Sequence, residues 1–369
     1  MRPLSILAVA RALAVLAGAG AGCGGKAATH GNPDGSAGVD AAPLPTPTPG
    51  GWTWVDVPGM QCDDGSGTGV AVNPAPGASA GGGALFIYFM GGGACWDATT
   101  CFVLNTAVHG PFGQAQWDAN AAGVTHALDR ARATNPFRDA SYVFVPYCTG
   151  DLHGGSNVAT YDVLGPRAYA HVGRRSVEAL LPRLRATWPS PARVVIAGSS
   201  AGGFGATLNY DLIRSAYAGA EAALVDDAGP LLEGDGIPVD ERSAWYTNWH
   251  LGDVVAPLCG ADCGDDLSRI YPALVAKHPQ DRMALLTSLQ DQTIRTYFKI
   301  LLGPDFELRL RALITDRLAP TATFRTFAIP GESHTLLGNI DTVSSGGVAL
   351  EAWLGAMLAG DATWASVGL

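Results

Sequence analysis

Lysine is almost missing from this chain. Lys26, Lys277 and Lys299 are the only three in 369 residues, so arginine carries nearly all the positive charge. Positive charge is itself short: 23 Lys and Arg stand against 33 Asp and Glu, a formal net charge of −10. With a pI near 5.2, that balance speaks against a nucleic-acid or anionic-membrane partner held by a basic surface. Plain solubility accounts for the acidity. Long unbroken apolar runs are absent too. The N-terminal run is interrupted by Ser5 and Arg11 and ends in glycines, which excludes a membrane span there. No internal repeat is visible. No Cys-x-x-Cys and no close histidine pair supports a zinc site, and no metal is expected.

What is present begins with an export signal. Arg2 supplies the positive start, Leu4 to Gly22 is mostly apolar and small, and Cys23 follows Ala21-Gly22. A small pair before a cysteine resembles a bacterial lipoprotein cleavage site, so residues 1–22 are read as a signal peptide and Cys23 as a lipidation site. Gly20 stands where that pattern usually has Leu. The segment 23–51 is rich in Gly, Ala and Pro and reads as a disordered tether. The expected location is secreted, or a cell-surface or outer-membrane lipoprotein of a bacterium. Without Cys23 six cysteines remain: Cys62, Cys95, Cys101, Cys148, Cys259 and Cys263. An even number in an exported domain fits three disulfides. Cys95 with Cys101 and Cys259 with Cys263 are local pairs, leaving Cys62 and Cys148, although six cysteines allow about 15 connectivities.

From Trp52 to the C-terminus the chain reads as one α/β domain. Apolar runs recur at 84–90, 142–146, 193–197, 222–225, 283–288 and 324–329, as expected for strands covered on both faces of a parallel sheet. Helical spacing appears between several of them, at Val172, Val177, Leu180, Leu181 and Leu184, and again at Leu208, Leu212, Ile213 and Tyr217. Alternating strands and helices imply a doubly wound, mostly parallel sheet. Ligands bind such sheets outside the carboxyl ends of the strands, and the polar loops of this chain all follow strands. Residues 234–280 look like a cap insertion, with Trp245, Tyr246, Trp249 and His250 available to line a pocket or to pack.

The chemistry centres on Gly198-Ser199-Ser200-Ala201-Gly202. An apolar run precedes it and a helical run follows, so G-x-S-x-G sits in a strand–turn–helix, the setting of a nucleophile elbow. Ser200 holds the nucleophile position and Ser199 is the lesser candidate. A serine hydroxyl needs a base and a group to orient that base. The order in such sheets is nucleophile, acid, base. Three histidines follow Ser200: His250, His278 and His334. His334 lies in a turn after the last strand and is chosen as base. His250 belongs to the cap, where packing or substrate contact is expected, and His278 reads as solvated. Asp291, just after a strand, is chosen as acid; Asp226 and Asp227 are its rivals, with a bland role in holding backbone turns. The oxyanion donors are assigned to Ala201 and to the glycine-rich loop Gly91-Gly92-Gly93 after an early strand.

Six ordered segments carry a family likeness: Cys62-Asp63-Asp64-Gly65-Ser66, Phe89-Met90-Gly91-Gly92-Gly93-Ala94-Cys95, Asn135-Pro136-Phe137, Val145-Pro146-Tyr147-Cys148-Thr149-Gly150-Asp151, Gly198 to Gly203, and Asp227-Ala228-Gly229. Together they resemble the pectin acetylesterase family from about Trp52 onward. The resemblance implies an α/β-hydrolase-like fold and a Ser200–Asp291–His334 triad. It also implies an oxyanion hole near Gly92, Gly93 and Ala201, and no cofactor. It supports pairing Cys62 with Cys148 and Cys95 with Cys101. Ala94 stands where the family has a bulky aromatic, and Met90 where it has Glu, both bearing on the pocket wall. Ala94, Asp151 and Asp227 are assigned to the substrate pocket.

The expected activity is ester hydrolysis through an acyl-enzyme, on O-acetyl groups of a polysaccharide such as pectin, by a monomer. The expected partner is therefore an acylated glycan or other ester, with membrane contact only through Cys23. The alternatives are an esterase for longer acyl chains, which needs a deep apolar pocket behind the elbow, a noncatalytic surface binding lipoprotein, and a metal-dependent deacetylase.

Overall fold

A twisted sheet of eight strands organises the molecule, in a computed structural model that describes residues 42–46, 48–77, 82–120 and 126–369. The strands are β1 (Thr53–Gln61), β2 (Gly67–Asn73), β3 (Ala84–Phe89), β4 (Ser141–Val145), then, past a β5–β6 hairpin (Asn157–Asp162, Pro166–His171), β7 (Arg193–Ser199), β8 (Glu221–Asp227), β9 (Arg282–Ser288) and β10 (Phe324–Ile329). Their order across the sheet is β1-β2-β4-β3-β7-β8-β9-β10. The six strands from β4 to β10 run parallel, and each matches one apolar run read from the sequence. They are apolar on both faces because helices cover both. The central β7 shows the result, with Val194 to Ser199 all buried.

The first two strands pair antiparallel and were not anticipated. Pro58-Gly59 breaks the alternation within β1, where the register to β2 shifts between Asp56 and Gln61. A bulge of this kind hides a strand from a period-two pattern.

The helices are α1 (Gln114–Asn120), α2 (Gly173–Thr187), α3 (Ala201–Ala216), α4 (Val239–Asn248), α5 (Gly252–Cys259), α6 (Asp262–Asp265), α7 (Ile270–Lys277), α8 (Gln292–Tyr297), α9 (Gly303–Leu313) and α10 (Leu350–Leu358). On α2 the buried Val177, Leu180, Leu181 and Leu184 keep the spacing of one helical face. By contrast, Ala201 to Tyr210 of α3 are buried all round, since α3 packs on β3, β7 and β8 together. The segment expected as a cap is helical, running from α4 to α7 between β8 and β9.

The domain starts earlier than the sequence suggests. Leu44 is only 3% exposed and joins the core. Its N–H donates to Thr187 Oγ1 at 2.7 Å, and Ala42 O accepts from Arg183 Nε at 3.1 Å. A tether reaching Gly51 is thus corrected: one leucine among prolines finds an apolar site on the last turns of α2. The expected signal peptide and Cys23 lie outside the described residues. Cys62 is bonded to Cys148, Cys95 to Cys101, and Cys259 to Cys263.

Candidate active site

The elbow is set by close backbone packing. Ser200 has φ 60° and ψ −126°, a conformation that costs a non-glycine residue energy and persists only where its surroundings impose it. Gly202 makes room for this turn, since an added Cβ would strike the carbonyl of Phe89 at the end of β3. Ser200 N–H donates to Asp227 O at 2.7 Å, so β8 holds the turn from its other side. Ala201 opens α3, where helix geometry leaves its N–H without an intrahelical acceptor.

The loop 91–93 lies against this turn. A Cβ on Gly91 would fall 2.9 Å from Ser200 Cβ. Gly93 has φ +78° and no space for a side chain beside Thr106 O and the Tyr297 hydroxyl. Gly92 O accepts from Val108 N–H at 2.7 Å. The Cys95–Cys101 bridge closes the loop just beyond. His153, which no sequence signal marked, supports it from below: its Nε2 donates to Met90 O at 2.9 Å. Burial pushes this imidazole down to about 4, which keeps it neutral.

Asp291 and His334 come together from the ends of β9 and β10. His334 Nδ1 lies 2.9 Å from Asp291 Oδ2 and 3.1 Å from Oδ1. Asp291 is 1% exposed, and its Oδ1 also accepts the N–H groups of Thr293 and Ile294, capping α8. With Nδ1 engaged by Asp291, Nε2 is the ring nitrogen that Asp291 leaves open. Among the described residues no hydrogen bond joins Ser200 Oγ to His334; contacts of this type often close only when substrate is bound.

Asp227 fills neither the acid's place nor the pocket. Its carboxyl accepts from Ser199 Oγ at 2.6 Å, Leu336 N–H at 2.8 Å and Leu337 N–H at 3.0 Å. Burial pushes it up to about 6, opposed by those donors. One side chain thereby ties the residue before Ser200 to the turn that follows His334. Ser199, whose hydroxyl also accepts from Tyr88, is committed to this clamp. Asp226, the other rival, is spent on Thr207 and the N–H of Gly229, and burial raises it to about 8. Asp151, expected in the pocket, is fully buried elsewhere and receives Thr149 Oγ1 and the N–H groups of Gly155 and Gly173. A carboxylate with that many donors folds a loop and cannot meet a substrate.

Ser200 opens on a small apolar cavity with Ala94, Phe204, Trp245, Ile294, Tyr297 and Phe298 on its walls. Its volume is about 20 Å³, on a scale where one water takes roughly 10–15 Å³. Ala94 lines it as expected; Met90 faces a different groove, with Phe112 and Trp117. Trp245 comes from the cap, while Trp249 stacks on it at 4.9 Å and donates to Cys95 O at 3.0 Å. Glu241, on the same helix, also lines the cavity and is fully buried. The two other histidines lie outside this site. His250 is half exposed, near Asp253 only. His278 is not solvated: its Nε2 meets Asp211 Oδ1 at 2.8 Å. The one cluster of metal-type donors among the described residues is Cys95, Cys101 and His171, and its two sulfurs are bonded to each other.

Comparison with known proteins bears on the family and the fold. The model of the Pectinacetylesterase family matches residues 53–267, more than half of the chain. The palmitoleoyl-protein carboxylesterase notum2 of Xenopus laevis is 30% identical over 131 residues, 35% of this chain and 26% of that protein. The human palmitoleoyl-protein carboxylesterase NOTUM is 28% identical over 137 residues, 37% of this chain and 27% of its own length. The chain thus spans about a quarter of the length of these curated relatives. The structure of the Wnt deacylase Notum from Drosophila superposes with a TM-score of 0.60 at 17% identity, covering 83% of this chain and 92% of that one. That likeness establishes a shared α/β-hydrolase-like fold.

Proposed function

The chain belongs to the pectinacetylesterase family, and from that premise we propose that it is an exported serine carboxylic ester hydrolase for short acyl groups, O-acetyl groups of a polysaccharide above all. Ser200 attacks the ester carbonyl and its proton passes to His334 Nε2. Asp291 holds the tautomer with the proton on Nδ1 and stabilises the imidazolium. The N–H of Ala201 and those of the Gly92–Gly93 loop receive the oxyanion. His334 then protonates the departing sugar oxygen, leaving acyl-Ser200. Water repeats the sequence, releases the carboxylic acid and restores the serine. The three disulfides support export to an oxidising compartment, and Cys23 is the proposed lipid attachment. Among the described residues no helix is long and apolar enough to cross a membrane.

The observation that carries the acyl-length assignment is the cavity of about 20 Å³ beside Ser200. It suits an acetyl-sized group. Several relatives are named palmitoleoyl-protein carboxylesterases; a chain of that length would have to run well beyond this cavity. Rates on p-nitrophenyl acetate and octanoate test this: kcat/KM should favour acetate by at least roughly 100-fold, since two or three misfit methylenes cost that much. Equal rates, or a preference for octanoate, would refute the short-acyl assignment. Acetate release from acetylated glycans then tests the polysaccharide.

A further inference from the structure

Glu241 is an anomaly in this cavity. It sits in the first turn of α4, 0% exposed, and neither carboxyl oxygen has a hydrogen-bond partner among the described residues. Lys299 Nζ stands 3.8 Å from Oε2, beyond hydrogen-bonding reach, and is bound instead to Asp240 at 2.9 Å. Trp245 Nε1 on the next turn is equally buried and unpartnered. A buried carboxyl left unpaired is destabilising, so three unpartnered polar atoms beside one small pocket point to a ligand.

We propose that the acyl pocket beside Ser200 is shaped for a short acyl group bearing a hydroxyl, as in a hydroxyacetyl ester, and that Glu241 binds that hydroxyl. This deepens the ester-hydrolase reading and rests on it. The argument is one of matching. A hydroxyl gives one proton and accepts another, which fits a neutral carboxyl. Burial does push Glu241 up to about 8, so it keeps its proton at neutral pH. An ammonium has two further N–H groups to satisfy and would bury its charge beside a neutral carboxyl; Trp245 Nε1 can only donate, and the Tyr297 hydroxyl, which donates to Thr106 O, could accept from one of them at most. An acidic acyl group would have to bury its own charge against a mostly apolar wall. A plain alkyl chain would leave Glu241 unpaired in the complex as well. Size agrees, since the cavity of about 20 Å³ takes one or two water-sized groups.

The test compares p-nitrophenyl hydroxyacetate with p-nitrophenyl propionate, which exchange an OH for a CH3 at equal size. The quantity read is the ratio of their kcat/KM values on the full chain, for wild type, Glu241→Met and Glu241→Gln. Comparing variants cancels the esters' intrinsic reactivity. Wild type should exceed Glu241→Met in this ratio by roughly tenfold or more, while Glu241→Gln, whose amide also donates and accepts, stays within about threefold of wild type. A ratio that Glu241→Met leaves unchanged overturns the inference. So does a glycinate ester hydrolysed faster than the hydroxyacetate, which would assign the pocket to an ammonium. Should Glu241→Met not fold, product inhibition of the wild type decides: hydroxyacetate must inhibit more strongly than propionate, and equal inhibition overturns the proposal. A fluorophosphonate probe on Ser200 separates the two levels. No label and no ester turnover refutes the hydrolase reading itself, whereas label and turnover without any dependence on residue 241 refutes only this assignment.

Discussion

Glu241 and Asp227 show how far a single side chain departs from its sequence context. Asp240-Glu241 reads as an ordinary acidic first turn of a helix, and nothing in the string says that one of the pair is buried. In the structure Asp240 meets Lys299 at the surface and Glu241 does not reach solvent. The consequence is a pH dependence. Glu241 has a usual value of 4.5 and burial lifts it to about 8, with Lys299 opposing and Asp240 and Asp97 adding to the rise. An acid raised on folding contributes its full stability below its unfolded value, and that contribution is lost as pH rises through the folded value. Wild-type stability should therefore fall between about pH 4.5 and pH 8 on account of this group, by no more than about 1.4 kcal/mol per unit. Glu241→Gln has no proton to lose. The difference in Tm between variant and wild type should move in the variant's favour from pH 5 to pH 8; a constant difference would mean Glu241 titrates normally.

The elements explain why the triad candidates were legible and their supports were not. Ser200 follows from a glycine spacing between a strand and a helix, and Asp291 and His334 from being polar residues just past strands in the right order. That logic is local. The clamp by Asp227 is not, because it depends on the turn at 336–337 lying beside the end of β8, 109 residues away. Nor is the double use of Asp291, which caps α8 and orients His334 at once. These two roles can be separated. Asn caps a helix about as well as Asp but does not hold the imidazole tautomer. Asp291→Asn should lower kcat/KM by roughly 10²–10⁴-fold with little change in Tm. Asp291→Ala should lose activity and about 1 kcal/mol of stability as well. If both variants were equally active, Asp291 would be only a cap.

At the scale of the whole molecule, six apolar runs become one parallel sheet whose carboxyl ends present the candidate residues together. The disulfide Cys62–Cys148 spans 86 residues and joins the end of β1 to the loop after β4, whereas Cys259–Cys263 spans only 4. Loop-closure entropy gives the first about 4–5 kcal/mol and the second about 2. Urea unfolding should therefore show a much larger loss for Cys62→Ser/Cys148→Ser than for Cys259→Ser/Cys263→Ser, and equal losses would show that chain entropy is not what these bridges contribute. Reading the string alone established the parallel strands and the strand–turn–helix at Ser200, and it supplied the proposed order of nucleophile, acid and base, because period, turn chemistry and strand-end position are properties of short segments. It missed β1, with its bulge, and the anchoring of Leu44. Only the tertiary structure decided that Asp151 and Asp227 serve backbone rather than substrate, that Trp245 and Glu241 from the cap close on Ser200, and that the space left is small. Burial and the pairing of polar groups depend on which distant segments meet, and no local pattern encodes that.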